Sequence, residues 1–304
     1  MSLIKDISRY LSINEDEVIK IANRSPKTYR TYLIPKKSTG YRTIHHPAKE
    51  TKTLQYAILN IVFSNYCAHP AAVGYIKGLQ SPLRVNAEKH AKYKFSVKLD
   101  FKNFFHSIKF EDLASILTEA FSSQELDFLK GALFLNYKGN YCLAIGAPSS
   151  PFLSNIIMKK FDQKISELVL SEDPDATYTR YADDLTVSSN SKEKCLKILK
   201  SIPNWIKQVK SPSLALNENK TLFLSKANRR MVTGLTITSE GEVSIGRANK
   251  RYIKKLFNDL KYSKISIENK SYLKGYLAFI RDVEPRFVLS LTKKYGADLI
   301  NEVI

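Results

Sequence analysis

The sequence predicts an α+β fold, with antiparallel strands that carry acidic residues and helices packed around them. Three observations lead there. Residues 178–188 (Tyr-Thr-Arg-Tyr-Ala-Asp-Asp-Leu-Thr-Val-Ser) have strand-forming flanks around a small residue and two acids. Residues 95–100 (Phe-Ser-Val-Lys-Leu-Asp) alternate like a half-buried strand, with Phe95, Val97 and Leu99 on one face and Ser96, Lys98 and Asp100 on the other. From Arg247 onward the chain reads as three consecutive helices, at about 247–263, 266–281 and 284–296.

The acidic stretch reads as a hairpin with Asp183 and Asp184 at its tip. Two carboxylates on a tight turn repel each other unless a cation lies between them. Asp100, closing its own strand, supplies a third acid. A carboxylate at a strand end beside an acidic hairpin suits a two-metal site for phosphoryl or nucleotidyl transfer, with ions about 3.5–4 Å apart.

The other elements follow in order. Residues 1–25 read as short helices, with Leu3, Ile4, Ile7 and Leu11 on one face and Asn14 placed to cap the second helix. Residues 29–34 and 41–45 read as two strands joined by a Pro- and Gly-bearing turn. In this basic hairpin Arg42 and Lys37 either meet a triphosphate or template phosphate or stay solvated. Residues 49–67 read as a helix with a Leu54, Ala57, Ile58, Ile61, Val62 stripe, and residues 71–78 as a loop carrying Tyr75 and Lys77. Asn86 and His90 sit four apart on a short helix. Residues 111–121 and 124–135 read as helices, and 137–141 as a turn between strands. Residues 145–151 form a loop of small residues. There Ser150 is expected as cap and Pro151 as first residue of a helix running through Asn155, Ile156 and Phe161. Small residues before a helix let a ligand approach the backbone. Residues 193–209 read as a helix, 214–225 as a strand pair or strand and loop, and 231–237 as one strand.

Composition narrows the function. The 304 residues carry 48 Lys+Arg against 29 Asp+Glu, a net charge of +19. Such an excess favours a polyanionic partner, nucleic acid before anionic membrane. Lys250, Arg251, Lys254 and Lys255 crowd one predicted helix, a surface suited to a duplex backbone. No apolar run approaches the roughly 18 residues that span a bilayer. The first residues lack a basic-then-apolar leader pattern, and the three cysteines are scattered. A cytoplasmic protein without disulfides or structural zinc is expected.

Taken in order, these pieces resemble a bacterial reverse transcriptase of the retron type, from about residue 29 to 296. Asp100 with Phe105 resembles the first catalytic motif, and residues 146–151 (Gly-Ala-Pro-Ser-Ser-Pro) resemble the loop and helix that support template and nucleotide. Residues 181–184 (Tyr-Ala-Asp-Asp) resemble the catalytic hairpin, and Asn217 with Lys220 and Thr221 the motif after it. Two pieces are particular to retron enzymes: residues 86–90 (Asn-Ala-Glu-Lys-His) match an Asn-Ala-x-x-His signature, and Val232, Thr233 and Gly234 match a Val-Thr-Gly triplet. One departure is Ile145, where many members carry Gln.

The resemblance implies a right-hand polymerase fold without an RNase H domain. Residues 1–95 would form N-terminal helices and fingers, 96–240 a palm with a fingers insertion at about 107–145, and 241–304 a helical thumb. It implies that Asp100, Asp183 and Asp184 hold two Mg²⁺ ions, Mn²⁺ being the alternative. Arg42, Phe101, Phe105, Gly146 and Lys220 would meet the nucleotide, Phe105 by excluding a ribose 2′-hydroxyl and Lys220 by neutralising pyrophosphate. Asn86, His90, Val232, Thr233, Gly234 and the basic helix would grip a structured RNA. The partners implied are a cognate non-coding RNA with its cDNA, dNTPs and an effector protein. The activity implied is synthesis of branched RNA–DNA (msDNA) from a guanosine 2′-hydroxyl, within antiphage defence. A group II intron-like reverse transcriptase and a non-catalytic RNA-binding scaffold are the alternatives.

Overall fold

The structure, a computed structural model, describes residues 3–36, 40–228 and 230–303. Helices α1 (Leu3–Leu11) and α2 (Glu15–Arg24) open the chain. Asn14 caps α2 as expected, its Oδ1 accepting from the Glu17 amide at 2.7 Å. Strands β1 (Arg30–Pro35) and β2 (Tyr41–His46) form the basic hairpin, in register from Arg30 opposite His46 to Pro35 opposite Tyr41. Lys37, in its turn, lies outside the described residues. Helix α3 (Lys49–Val62) buries Leu54, Ala57 and Ile58 and stops short of residue 67.

Helix α4 (Pro82–Ala91) begins with a proline, which suits a first turn. Strand β3 (Phe95–Asp100) leads into the short α5 (Phe104–Ser107). Then come α6 (Phe110–Leu117), α7 (Ser123–Leu133) and the hairpin of β4 (Leu135–Tyr137) with β5 (Asn140–Cys142). Ser122 and Glu125 cap the start of α7 reciprocally.

Helix α8 (Ser149–Ile157) starts earlier than expected, and Ser150 does not cap it. The Ser150 hydroxyl instead accepts from the Ala144 amide at 3.1 Å, which ties the preceding loop down. The helix also stops at Met158, and Phe161 belongs to a separate α9 (Lys159–Glu172).

Strands β6 (Thr177–Tyr181) and β7 (Asp184–Ser189) precede α10 (Lys192–Gln208). Strand β8 (Leu222–Ser225) follows a 3-10 turn at Glu218–Lys220. The stretch expected as one strand is a hairpin, β9 (Arg230–Val232) and β10 (Leu235–Ile237). Thr233 at φ 47° and Gly234 at φ 81° make a two-residue turn with both central residues left-handed, the primed turn that suits twisted strands. Strand β11 (Val243–Ser244) completes that sheet. Helices α11 (Arg247–Lys261), α12 (Ile267–Val283), α13 (Pro285–Tyr295) and α14 (Ala297–Asn301) end the chain.

The central sheet runs β6-β7-β3-β8, antiparallel throughout. It was expected to be half-buried, but both faces of β3 are covered: Val97 and Leu99 on one side, Ser96 on the other. The second face is closed by α4, whose His90 reaches the sheet.

One large core joins α1–α3, α6–α10 and this sheet. A second core joins α11–α14 with β9–β11, and it takes in Ala87 and Ala91 of α4. The β10–β11 hairpin spans residue 240 and packs with α11–α14. Among the described residues no helix is long and apolar enough to cross a membrane.

Candidate active site

The sheet register places two of the three acids opposite each other. Asp100 pairs with Asp184 across β3 and β7, and Tyr181 pairs with Asp184 across β6 and β7. Ala182 and Asp183 are thus the two turn residues, with Ala182 at φ 57°. The Phe101 amide donates to the Asp183 carbonyl at 3.2 Å, which joins the strand end to the hairpin tip.

Burial and crowding act on these acids. Burial first, then the charges of Asp184 and Asp100, push the Asp183 carboxyl up to about 6. Burial likewise pushes Asp184 up, while Lys98 and Lys220 pull it down. Lys220 answers part of this charge: its Nζ lies 2.9 Å from both carboxylate oxygens of Asp100. That contact, ahead of any other influence, raises the Lys220 ammonium. Asn217 anchors the same strand end, its amide donating to the Asp100 carbonyl at 2.7 Å.

The donor set suits a divalent ion. Carboxylate oxygens are hard ligands, the charge of Asp100 pushes both Asp183 and Asp184 up, and an ammonium already bridges Asp100. Among the described residues, no three Asp, Glu, His or Cys side chains close around a common point. Asp100 is held by Lys220, so it could join a ligand set here only by parting from that ammonium.

Beneath the turn lies a buried network that sequence reasoning passed over. Arg180 and Asp162 are each 0% exposed and paired at 2.6 Å. The Tyr178 hydroxyl donates to Asp162 at 2.8 Å, and Arg180 Nη1 donates to Asn155 Oδ1 at 3.1 Å and to the Ala182 carbonyl at 3.2 Å. Asn155 in turn donates to the Gly74 carbonyl at 2.8 Å. Asp162 fixes Arg180, and Arg180 fixes the carbonyl preceding Asp183. A readable trace existed: Asp162 falls at helical spacing on the Phe161, Ile165, Val169 face, where an acid needs a buried partner.

The expected nucleotide-binding residues fare differently. Arg42 is exposed on β2 and acts on the Tyr75 phenol, which burial and then Asp183 push up and Arg42 pulls down. Phe105 is half-buried between Phe104, at 5.3 Å between ring centres, and Tyr75, at 6.3 Å. Gly146, at φ 115°, is where the loop crosses β2; a Cβ there would lie 2.9 Å from Ile44 Cγ2 and 3.0 Å from the His45 carbonyl. The Ile145 carbonyl accepts from the His45 amide at 2.7 Å, so the loop is held by backbone whatever side chain stands at 145. Phe101 is a correction: its ring is 2% exposed and its amide is spent on Asp183, leaving nothing for a triphosphate.

The expected RNA-contacting residues also divide. Asn86 and His90 are 1% and 0% exposed and cannot touch RNA. His90 Nδ1 is 2.8 Å from the Ser188 hydroxyl and Nε2 2.7 Å from that of Thr179, so His90 ties α4 to β7 and β6. Burial, ahead of neighbouring cations, lowers its pKa to about 3 and keeps it neutral. Val232 is buried too, and the Thr233 hydroxyl donates to the Leu83 carbonyl at 3.0 Å. The two retron signatures are therefore one packed unit, with Gly234 exposed at its turn. Arg251, Lys254 and Lys255 stand exposed on α11, whereas Lys250 is half-buried against Glu284.

Comparison with known proteins fits this geometry. A family profile described as reverse transcriptase (RNA-dependent DNA polymerase) matches residues 34–237. The retron Ec83 reverse transcriptase of Escherichia coli is 34% identical over 94% of this chain and 92% of its own. The chain belongs to the retron-type reverse transcriptases. The retron Ec73 and Ec86 enzymes of Escherichia coli are 33% and 31% identical, over 91% and 99% of this chain and 90% and 93% of their own. Among solved structures, apo telomerase from Candida tropicalis aligns with a TM-score of 0.52 at 15% identity, over 94% of this reverse transcriptase and 64% of the telomerase chain. That likeness concerns the fold, a polymerase fold mixing helices with antiparallel sheets. The retron-type reverse transcriptase is accordingly an RNA-directed DNA polymerase.

Proposed function

We propose that this reverse transcriptase copies part of a cognate, structured non-coding RNA into DNA, primed from a guanosine 2′-hydroxyl and leaving branched RNA–DNA. The observation that supports this reading best is the joint packing of residues 86–90 and 232–234. Ala87 shares a hydrophobic core with Val232, and His90 bonds to Thr179 of the strand leading to the Asp183 turn.

In this reading Asp100, Asp183 and Asp184 hold two divalent ions, Mg²⁺ or Mn²⁺. The ions, when bound, supply activation of the attacking hydroxyl and charge neutralisation on the leaving pyrophosphate. Lys220, freed from Asp100, carries positive charge toward the pyrophosphate. Arg42 pairs with the triphosphate of the incoming dNTP. Phe105 stands beside the sugar and excludes a 2′-hydroxyl. Arg251, Lys254 and Lys255, with the Thr233–Gly234 turn, meet phosphates and 2′-hydroxyls of the RNA. An effector protein and a place in antiphage defence belong to the same proposal, on kinship.

The test is to purify the protein from cells expressing its neighbouring non-coding locus and to treat the bound nucleic acid with RNase or DNase. The expected product is a short DNA joined to RNA through a branch, absent when Asp183→Ala and Asp184→Ala are introduced together. RNA alone, equal in both proteins, would establish a scaffold; linear cDNA would establish an ordinary reverse transcriptase.

A further inference from the structure

Tyr75 takes no part in the reading above, yet its setting is built with care. The loop before it lies along β6: the Arg180 amide donates to the Ala71 carbonyl and the Val73 amide to the Arg180 carbonyl, both at 2.8 Å. Gly74 presses against the catalytic turn so closely that a Cβ would sit 2.9 Å from the Ala182 amide nitrogen. Asn155 holds the Gly74 carbonyl from the other side.

The next residue, Tyr75, takes φ 63°, a left-handed conformation that costs an aromatic residue on the order of 1–3 kcal/mol. A free loop would relax it. Here three hydrogen bonds and a backbone contact hold the residues just before it. The ring is 42% exposed. It stands 6.3 Å from Phe105 and 6.4 Å from Tyr181, centre to centre, within the range where aromatic rings attract.

Phe105 needs such a neighbour. It belongs to a four-residue helix, too short to fix a side chain by itself. On its inner side Phe104 packs at 5.3 Å. On its outer side stands Tyr75. We propose that Tyr75 is a positioning residue for sugar selection: its ring backs Phe105 and sets how far that ring reaches toward the 2′ carbon of the incoming nucleotide. The inference rests on the reading of Phe105 as the wall beside the sugar.

The experiment measures kcat/KM for single-nucleotide addition of a dNTP and of the matching rNTP on an RNA template with an annealed DNA primer. It compares the native protein with Tyr75→Ala, Tyr75→Phe and Phe105→Ala. Tyr75→Ala is expected to lower the dNTP-over-rNTP preference by about tenfold, with dNTP addition retained. Tyr75→Phe, which keeps the ring, holds the native preference, and Phe105→Ala lowers it at least as far as Tyr75→Ala. If Tyr75→Ala folds poorly, Tyr75→Leu takes its place with a smaller loss. An unchanged preference in Tyr75→Ala beside a relaxed one in Phe105→Ala overturns the role of Tyr75 alone. An unchanged preference in Phe105→Ala overturns the sugar-wall reading and this inference with it.

Discussion

His90 shows how a residue recognised by motif can act out of reach of any substrate. Its two ring nitrogens join the strands on either side of the Asp183 turn, and burial holds its pKa near 3. In the unfolded chain a histidine titrates near 6.5. Between those values the unfolded state binds the extra proton and the folded state does not, so stability falls as pH drops below about 6.5. At pH 5.0 the loss amounts to about 2 kcal/mol relative to neutral pH. Urea unfolding of the native protein and His90→Gln at pH 7.5 and 5.0 checks this: the advantage of the native protein should shrink by about that amount. An advantage independent of pH would mean another group is titrating. At the same scale, the three acids were legible because adjacent carboxylates repel each other unless a cation lies between them, and a third acid closes a strand. Arg180 was hidden because its partner, Asp162, lies on a different element. Burial of Phe101 was equally hidden, since an aromatic after an acid at a strand end suits core and surface alike.

At the scale of elements, the loop at residues 71–75 does more than connect. Gly74→Ala places a methyl group against the Ala182 amide and should destabilise the fold by only about 1–3 kcal/mol. By shifting the turn that carries Asp183 it should slow primer extension about a hundredfold. Thermal melting beside extension kinetics separates the two effects, and parallel modest losses would argue against mechanical contact between loop and turn. Most helices and strands were readable from periodicity, including both hairpins with strongly marked turns. The β9–β10 hairpin was not, because a β-branched Thr233 at φ 47° runs against propensity and leaves an apparently continuous strand. The break between α8 and α9 has no proline or glycine to announce it. Burial of the Ser96 face of β3 comes from α4, whose arrival no local pattern encodes.

Across the whole molecule, a net charge of +19 predicts binding to RNA that weakens steeply with salt. The exposed cations of α11 provide the test. Lys254→Gln with Lys255→Gln should flatten the dependence of log K on log salt by about 1 for each side chain that meets a phosphate. An unchanged slope in titrations over a range of KCl would route the RNA elsewhere. The α+β class and the polymerase fold were both legible in advance; the partition into cores was not, because Ala87 and Ala91 join the C-terminal core from far upstream in the sequence. That membership bears on how such enzymes can be recombined. A chimera exchanging only the C-terminal helices would seat foreign helices on the resident α4. A transferable cassette has to carry residues 82–91 and 230–245 as well. Variation in these separated segments is then constrained by one shared core, and moving that core intact between relatives takes at least two coordinated crossovers.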